Sequence, residues 1–262
     1  MRLKDIFFAG LVSLLVAGSA LSRPAAAAAP QSTLVIELSA SPADRPQLRS
    51  LLAGEQAHRL DGLRRQGLLQ GYELFFNRYA DSNRWDGLEV LTFADDAAVS
   101  RWAALERTSP GGLLPAALRL VTHIVETPAG GVRRGGTRGA ATDAPILVIP
   151  YQVVVPPPQY LTYVDTYVVP QFDGCIAEGV LDSYEIQMSR FPAGRQWASL
   201  ILLRYHDGAA LERRDQTTAL VRGRLAQNPQ WKAASDSKTA VRTEQALAVA
   251  DQLAGAETAP SP

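Results

Sequence analysis

An α+β fold made of two tandem βαββαβ units is predicted by two observations. The segment Gly67–Arg101 recurs as Gly179–Arg213 at an offset of 112 residues with no gap, and the match reaches back to Pro46-Gln47 against Pro158-Gln159. It contains 16 identities over the 56 positions from Pro46 to Arg101, too many for shared composition alone, so the halves are copies of one unit. Within each copy, β-branched and aromatic runs alternate with stretches of helical periodicity in the order strand, helix, strand, strand, helix, strand.

The first copy opens with Thr33–Ser39, a β-branched run that predicts a strand. Ser41–Pro46 supplies helix-start chemistry, and Gln47–Gln66 places Leu48, Leu51, Leu52, Leu60 and Leu63 on one helical face before Gly67 ends it. Gly71–Tyr79 and Trp85–Phe93 predict a hairpin around a polar turn. Asp95 is a good N-cap for a helix over Asp96–Arg107, Pro110-Gly111-Gly112 breaks that helix, and Leu120–Glu126 forms the fourth strand. Residues 128–145, rich in Gly and Arg and without apolar periodicity, predict a flexible linker.

The second copy opens with a strand over Ile146–Val155. Its helix over Gln159–Glu178 carries Tyr160, Tyr163 and Tyr167 at helical spacing, a pattern of core packing or of a pocket wall. Ser183–Phe191 and Trp197–Tyr205 form the second hairpin, Asp207 caps the next helix, Lys238–Glu244 is the closing strand, and residues 246–262 form a C-terminal helix and tail. Cys175, the single cysteine, excludes an internal disulfide and reads as a small apolar residue on a helix.

Arg2 and Lys4, the apolar run Ile6–Ala17 and the small residues through Ala29 have the layout of a signal peptide over residues 1–29, which predicts a periplasmic or secreted protein with no stable membrane insertion after cleavage. The 26 basic and 26 acidic residues cancel, which argues against nucleic acid as a partner. The sequence carries no phosphate-binding glycine loop, no G-x-S-x-G, no cysteine pair for zinc and no His spacing for a metal, so no cofactor and no metal is expected.

A βαββαβ unit is ferredoxin-like, and one face of its sheet is left bare by its two helices. With the tandem order and the repeated G-x-L-x-x-Y-E hairpin, Trp strand and Asp-Ala-Ala cap, the chain resembles the dimeric α+β barrel superfamily, with its antibiotic-biosynthesis-monooxygenase-like, EthD-like and NIPSNAP-like domains. The resemblance covers residues 33–127 and 146–245. It implies two ferredoxin-like repeats packed sheet to sheet as an intramolecular pseudo-dimeric barrel. The superfamily spans cofactor-free monooxygenases, isomerases, haem enzymes and binding proteins, so it implies no particular reaction, and no catalytic motif carries over.

Strand parity turns Tyr72, Leu74 and Phe76 toward the helices and Glu73, Phe75 and Asn77 into the barrel, with Glu185, Gln187 and Ser189 as counterparts. A carboxylate in such a lining suits a general base, so Glu73, Glu185 and the strand residue His123 are the candidate catalytic groups. Phe75, Asn77, Gln187 and Ser189 are candidate ligand contacts. The alternative for the glutamates is a structural role, hydrogen-bonded across the interface between copies or exposed at a strand end. Arg78 and Arg190 either clasp their hairpins by stacking on Trp85 and Trp197 or hold an anion at the barrel mouth. Two functional readings follow: a barrel that binds a small, apolar or aromatic molecule, with cofactor-free oxygenation or isomerisation as its chemistry if it is an enzyme, or a structural or interaction module whose barrel is filled by side chains.

Overall fold

The computed structural model describes residues 32–81, 84–137 and 144–257. The signal-like segment 1–29 and the last residues of the tail, 258–262, lie outside the described residues. The strands are β1 (Ser32–Ala40), β2 (Gly71–Asn77), β3 (Gly87–Phe93), β4 (Val121–Gly136), β5 (Pro145–Val153), β6 (Leu181–Ser189), β7 (Ser199–Tyr205), β8 (Arg242–Glu244) and β9 (Ala248–Glu257). The first long helix joins α1 (Arg45–Leu51), a π-helical turn (Leu52–Gln56) and α2 (Ala57–Arg65). Its counterpart joins α5 (Pro157–Tyr163), a π turn (Val164–Val168) and α6 (Val169–Ala177). The two π turns coincide at the 112-residue offset. The remaining helices are α3 (Asp96–Glu106) and α4 (Pro115–Leu118) in the first copy and α7 (Gly208–Glu212), α8 (Arg214–Leu225), α9 (Pro229–Asp236) and α10 (Lys238–Val241) in the second.

The strands close into an antiparallel eight-stranded barrel in the circular order β1-β3-β2-β9-β5-β7-β6-β4, and β8 extends β5 on the outside. Each copy lends its last strand to the other. β4 pairs with β1 through Val121–Gly130 and with β6 through Ala129–Gly136, while β9 pairs with β5 and with β2. Both hairpin turns therefore lie at one end of the barrel. Closure leaves no bare sheet face and no unpaired edge among these eight strands.

The strand parity read from sequence holds. Tyr72, Leu74 and Phe76 pack with Leu48, Leu52 and Trp102 under the helices of the first copy. Tyr184 and Ile186 pack with Tyr160, Tyr163, Tyr167 and Cys175 in the second. The tyrosines are core: successive ring centroids lie 6.2 and 5.2 Å apart, and Trp231 follows Tyr167 at 5.0 Å. Phe75, Val35, Leu88, Val90, Val148, Leu200 and Leu202 fill the barrel. Both expected caps form, with Asp95 accepting from the Ala98 amide and Asp207 from the Ala210 amide, each at 2.7 Å.

Two segments differ from the sequence reading. Residues 128–136, expected as flexible linker, are the second half of β4. Their glycines serve cross-strand approach: a Cβ at Gly135 would lie 2.4 Å from Tyr184 Cε1, and one at Gly136, where φ is 77°, would lie 2.1 Å from the Asp182 carbonyl oxygen. The closing strand is β9 and not residues 238–244, of which the first four are helical. The alanine-rich stretch 248–254 reads as helix by local propensity. Between the edges of β2 and β5 its alternation decides instead, turning Ala248 and Ala250 into the barrel and Val249 out of it.

Candidate functional site at the hairpin end of the barrel

The barrel interior divides into a hairpin end, an apolar middle and a far end. At the hairpin end, Glu37 on β1 faces inward, beside Val35 in parity. In register it stands opposite Leu88, while Pro150 stands opposite Leu200. Leu88 and Leu200 are equivalent at the 112-residue offset, so the opening strands are offset by one further residue and Pro150 is the counterpart of Glu37. One copy thus places a carboxylate where the other has an imino acid.

Glu37 is 8% exposed and accepts at Oε1 from the Trp197 indole at 3.1 Å. Burial pushes its carboxyl up from the usual range, and the Trp197 hydrogen bond partly opposes this. A cavity of about 420 Å³ opens beside it. Its walls are Trp85 and Trp197, one from each copy, with Val148, Leu200, Gln152 and Ala248. An adjoining groove of about 510 Å³ shares Glu37, Arg84, Trp85 and Gln196 with the cavity and is rimmed by His123 and Asp81. Arg84 is held at this junction by Asp81 and by the Ala246 carbonyl. Two indole side chains, one carboxylate, the Arg84 guanidinium and the amides of Gln152, Gln196 and Gln245 line this space.

The residues singled out from sequence are dispersed along the barrel. His123 is exposed on the groove rim, its Nδ1 3.4 Å from Thr122 Oγ1. Phe75 is fully buried in the apolar middle. Asn77 donates to the Trp85 carbonyl at 3.2 Å and accepts from the Tyr79 amide, which fixes the hairpin. Arg78 and Arg190 do not clasp Trp85 and Trp197. Arg78 pairs with Asp251 on β9 at 2.5 Å and Arg190 donates to Ser32 on β1 at 2.6 Å, so each ties its hairpin to the other copy and leaves the indoles to the cavity.

Glu73 and Glu185 lie at the far end. Arg204 on β7 reaches between them, its Nη2 2.6 Å from both oxygens of Glu73 and 3.8 Å from Glu185. Gln187 donates to Glu185 at 2.6 Å, and Ser189 is buried. The structural alternative for the glutamates, a link between copies, is what this geometry provides.

A further buried carboxyl lies under the helices of the first copy. Glu89 is fully buried and accepts from Gln56 at 3.2 Å. Burial pushes it up to about 8, with the Gln56 hydrogen bond partly opposing. At the 112-residue offset the same pair is Val168 and Ile201, a hydrophobic pair in place of a polar one. Glu126 on β4 is pushed up to about 7, chiefly by burial and then by Glu106. No repeat or motif marks Glu37, Glu89 or Arg204. The available signal was a charged residue within an apolar strand: Glu in TLVIELS and GLEVLTF, Arg in SLILLRY.

The chain is a single-chain α+β barrel closed by two ferredoxin-like copies, with a hairpin-end pocket to which both copies contribute. No family model matches the chain, and no curated protein does. Solved structures share the architecture. An anthrone oxidase-like protein aligns at 14% identity and TM-score 0.59, covering 88% of this chain and 94% of its own. Monooxygenase-like proteins of Lactobacillus acidophilus NCFM and Fusobacterium nucleatum subsp. nucleatum ATCC 25586 align at 11% identity over 88% of this chain, with TM-scores of 0.56 and 0.55 and 97% and 95% of their own lengths covered. At these identities the likeness establishes the fold. Among the described residues, no group of three or more His, Cys, Asp or Glu is arranged to hold a metal ion, and no helix is long and apolar enough to cross a membrane.

Proposed function

We propose that this barrel binds a small aromatic or apolar molecule in its hairpin-end cavity, with Glu37 as the acid/base group. The observation that carries this reading is the buried Glu37 carboxyl at the edge of a cavity walled by Trp85 and Trp197. A carboxylate with a raised proton affinity, next to indole faces that orient a flat ligand, suits removal of a proton from an activated C–H. Return of that proton at another carbon is isomerisation. Reaction of the resulting carbanion with dioxygen is cofactor-free oxygenation. The names carried by the monooxygenase-like and anthrone oxidase-like neighbours are compatible with it. The packed middle of the barrel supports the rival reading, a module without a ligand.

The test is quenching of tryptophan fluorescence by 1-naphthol, together with native mass spectrometry of the purified protein. Ala246→Trp, at the exposed rim, is expected to plug the cavity and abolish quenching, while Glu37→Gln keeps binding. Absence of saturable quenching, or quenching unchanged by Ala246→Trp, sinks the pocket. The proposal also includes export through residues 1–29. N-terminal sequencing of the mature protein should begin near Pro30, and an intact Met1 on the protein recovered from cells and medium would refute it.

A further inference from the structure

Arg84 stands where the hairpin-end cavity meets the adjoining groove and lines both. Its side chain is 17% exposed. Nε donates to Asp81 at 3.1 Å and Nη1 to the Ala246 carbonyl. Nη2 has no hydrogen-bond partner among the described residues and is not an enclosed atom, so it meets the space that cavity and groove share. Tying a hairpin to a neighbouring segment does not require a guanidinium. In the second copy Gln152 ties its hairpin to β5 with a neutral amide, donating to the carbonyls of Arg195 and Gln196 at 3.0 and 2.8 Å. At the 112-residue offset Arg84 answers to Gln196, and in the opening strands Glu37 answers to Pro150. The two charged side chains of the cavity wall therefore both come from the first copy. They do not form an ion pair with each other: among the described residues the carboxylate paired with Arg84 is Asp81.

We infer that Arg84 selects the ligand of this cavity, its open guanidinium edge holding a hydrogen-bond acceptor, an oxygen or a ring nitrogen, on an otherwise apolar aromatic molecule. The inference rests on the pocket reading above and narrows it. A guanidinium offers donors only, so what it can hold is an acceptor. Hydrocarbon laid against Nη2 would strip it of water and return nothing, so a ligand of the same shape without an acceptor is rejected. An acceptor fixed there also sets the orientation of the ligand toward Glu37, whose Oε1 is already held by Trp197.

1-Naphthol and 1-methylnaphthalene share an outline and differ by an oxygen in place of a methyl carbon. Their dissociation constants are measured on the full chain near neutral pH, from the indole N–H cross-peaks of Trp85 and Trp197 in proton–nitrogen correlation spectra. Arg84→Met is expected to weaken 1-naphthol by about ten- to hundredfold, the worth of a hydrogen bond to a charged donor, and to leave 1-methylnaphthalene bound as in the wild type. Arg84→Gln, which installs the residue of the second copy, should give a smaller loss in the same direction. If neither compound shifts the wild-type cross-peaks saturably, the pocket itself falls and this inference with it. If both bind, and Arg84→Met weakens them alike or weakens neither, the pocket stands and the inference is overturned. Loss of the dispersed spectrum in both variants assigns Arg84 to folding and overturns it as well.

Discussion

Replacing Glu89 by Gln should make the protein less dependent on pH and more stable near neutrality. Glu89 is fully buried and its carboxyl is pushed from 4.5 up to about 8. The folded pKa lies above the unfolded one, so Glu89 opposes folding wherever the unfolded chain has released a proton that the folded chain retains. The associated stability is complete below pH 4.5 and is lost progressively as pH rises to about 8. Each pKa unit corresponds to about 1.4 kcal/mol, so by pH 7 the loss is about 3 kcal/mol. Gln cannot ionise and keeps an oxygen for Gln56. Its amide group, however, falls where Glu89 Oε2 has no partner, which costs about 1–2 kcal/mol. The variant should therefore be slightly less stable than wild type at pH 4.5 and about 1–2 kcal/mol more stable at pH 7, with a crossover between. Urea unfolding across this range measures the difference. Glu126, pushed up to about 7, steepens the wild-type curve, but it is present in both proteins and cancels to first order. A difference that stays constant across the pH series would refute the reasoning.

Arg204→Met should cost about 3–5 kcal/mol in urea unfolding, because it removes the cation that Arg204 places 2.6 Å from buried Glu73, and a Glu73→Leu, Arg204→Met double variant should recover much of that loss. Gly135→Ala should destabilise by about 1–3 kcal/mol, since the added methyl meets the Tyr184 ring at 2.4 Å, and thermal melts should show the loss relieved in Gly135→Ala, Tyr184→Leu. Asp95→Ala and Asp207→Ala should each lose about 1 kcal/mol in chemical denaturation, and the double variant should lose the sum because the caps lie in separate copies.

The duplication, the parity of the second strands and the two aspartate caps were legible because each rests on local chemistry repeated at one offset. Tyr72 and Leu74 against Glu73 and Phe75 is a period-two pattern, and its faces follow whatever the strand packs against. The candidate site was less legible. Glu73 and Glu185 were visible as repeated inward carboxylates, but their shared partner Arg204 comes from a different strand and has no repeat to announce it. Glu37 carries no repeat signal, because the 112-residue offset of the second strands does not contain the one-residue shift that pairs it with Pro150.

The sequence by itself determined that two like units exist, where their hairpins and helix caps fall, and which face of each central strand meets the helices. These follow from backbone period and capping, which need no distant partner. Only the tertiary structure decided that the glycine-rich run through Gly136 and the alanine-rich run from Ala248 are barrel strands. Their local propensities favour linker and helix, and the hydrogen bonds of β6, β2 and β5 outweigh those propensities. Closure then decided the chemistry: it brought Trp85 and Trp197 to one cavity beside Glu37, and it set Arg204 between two glutamates that lie 112 residues apart in the chain.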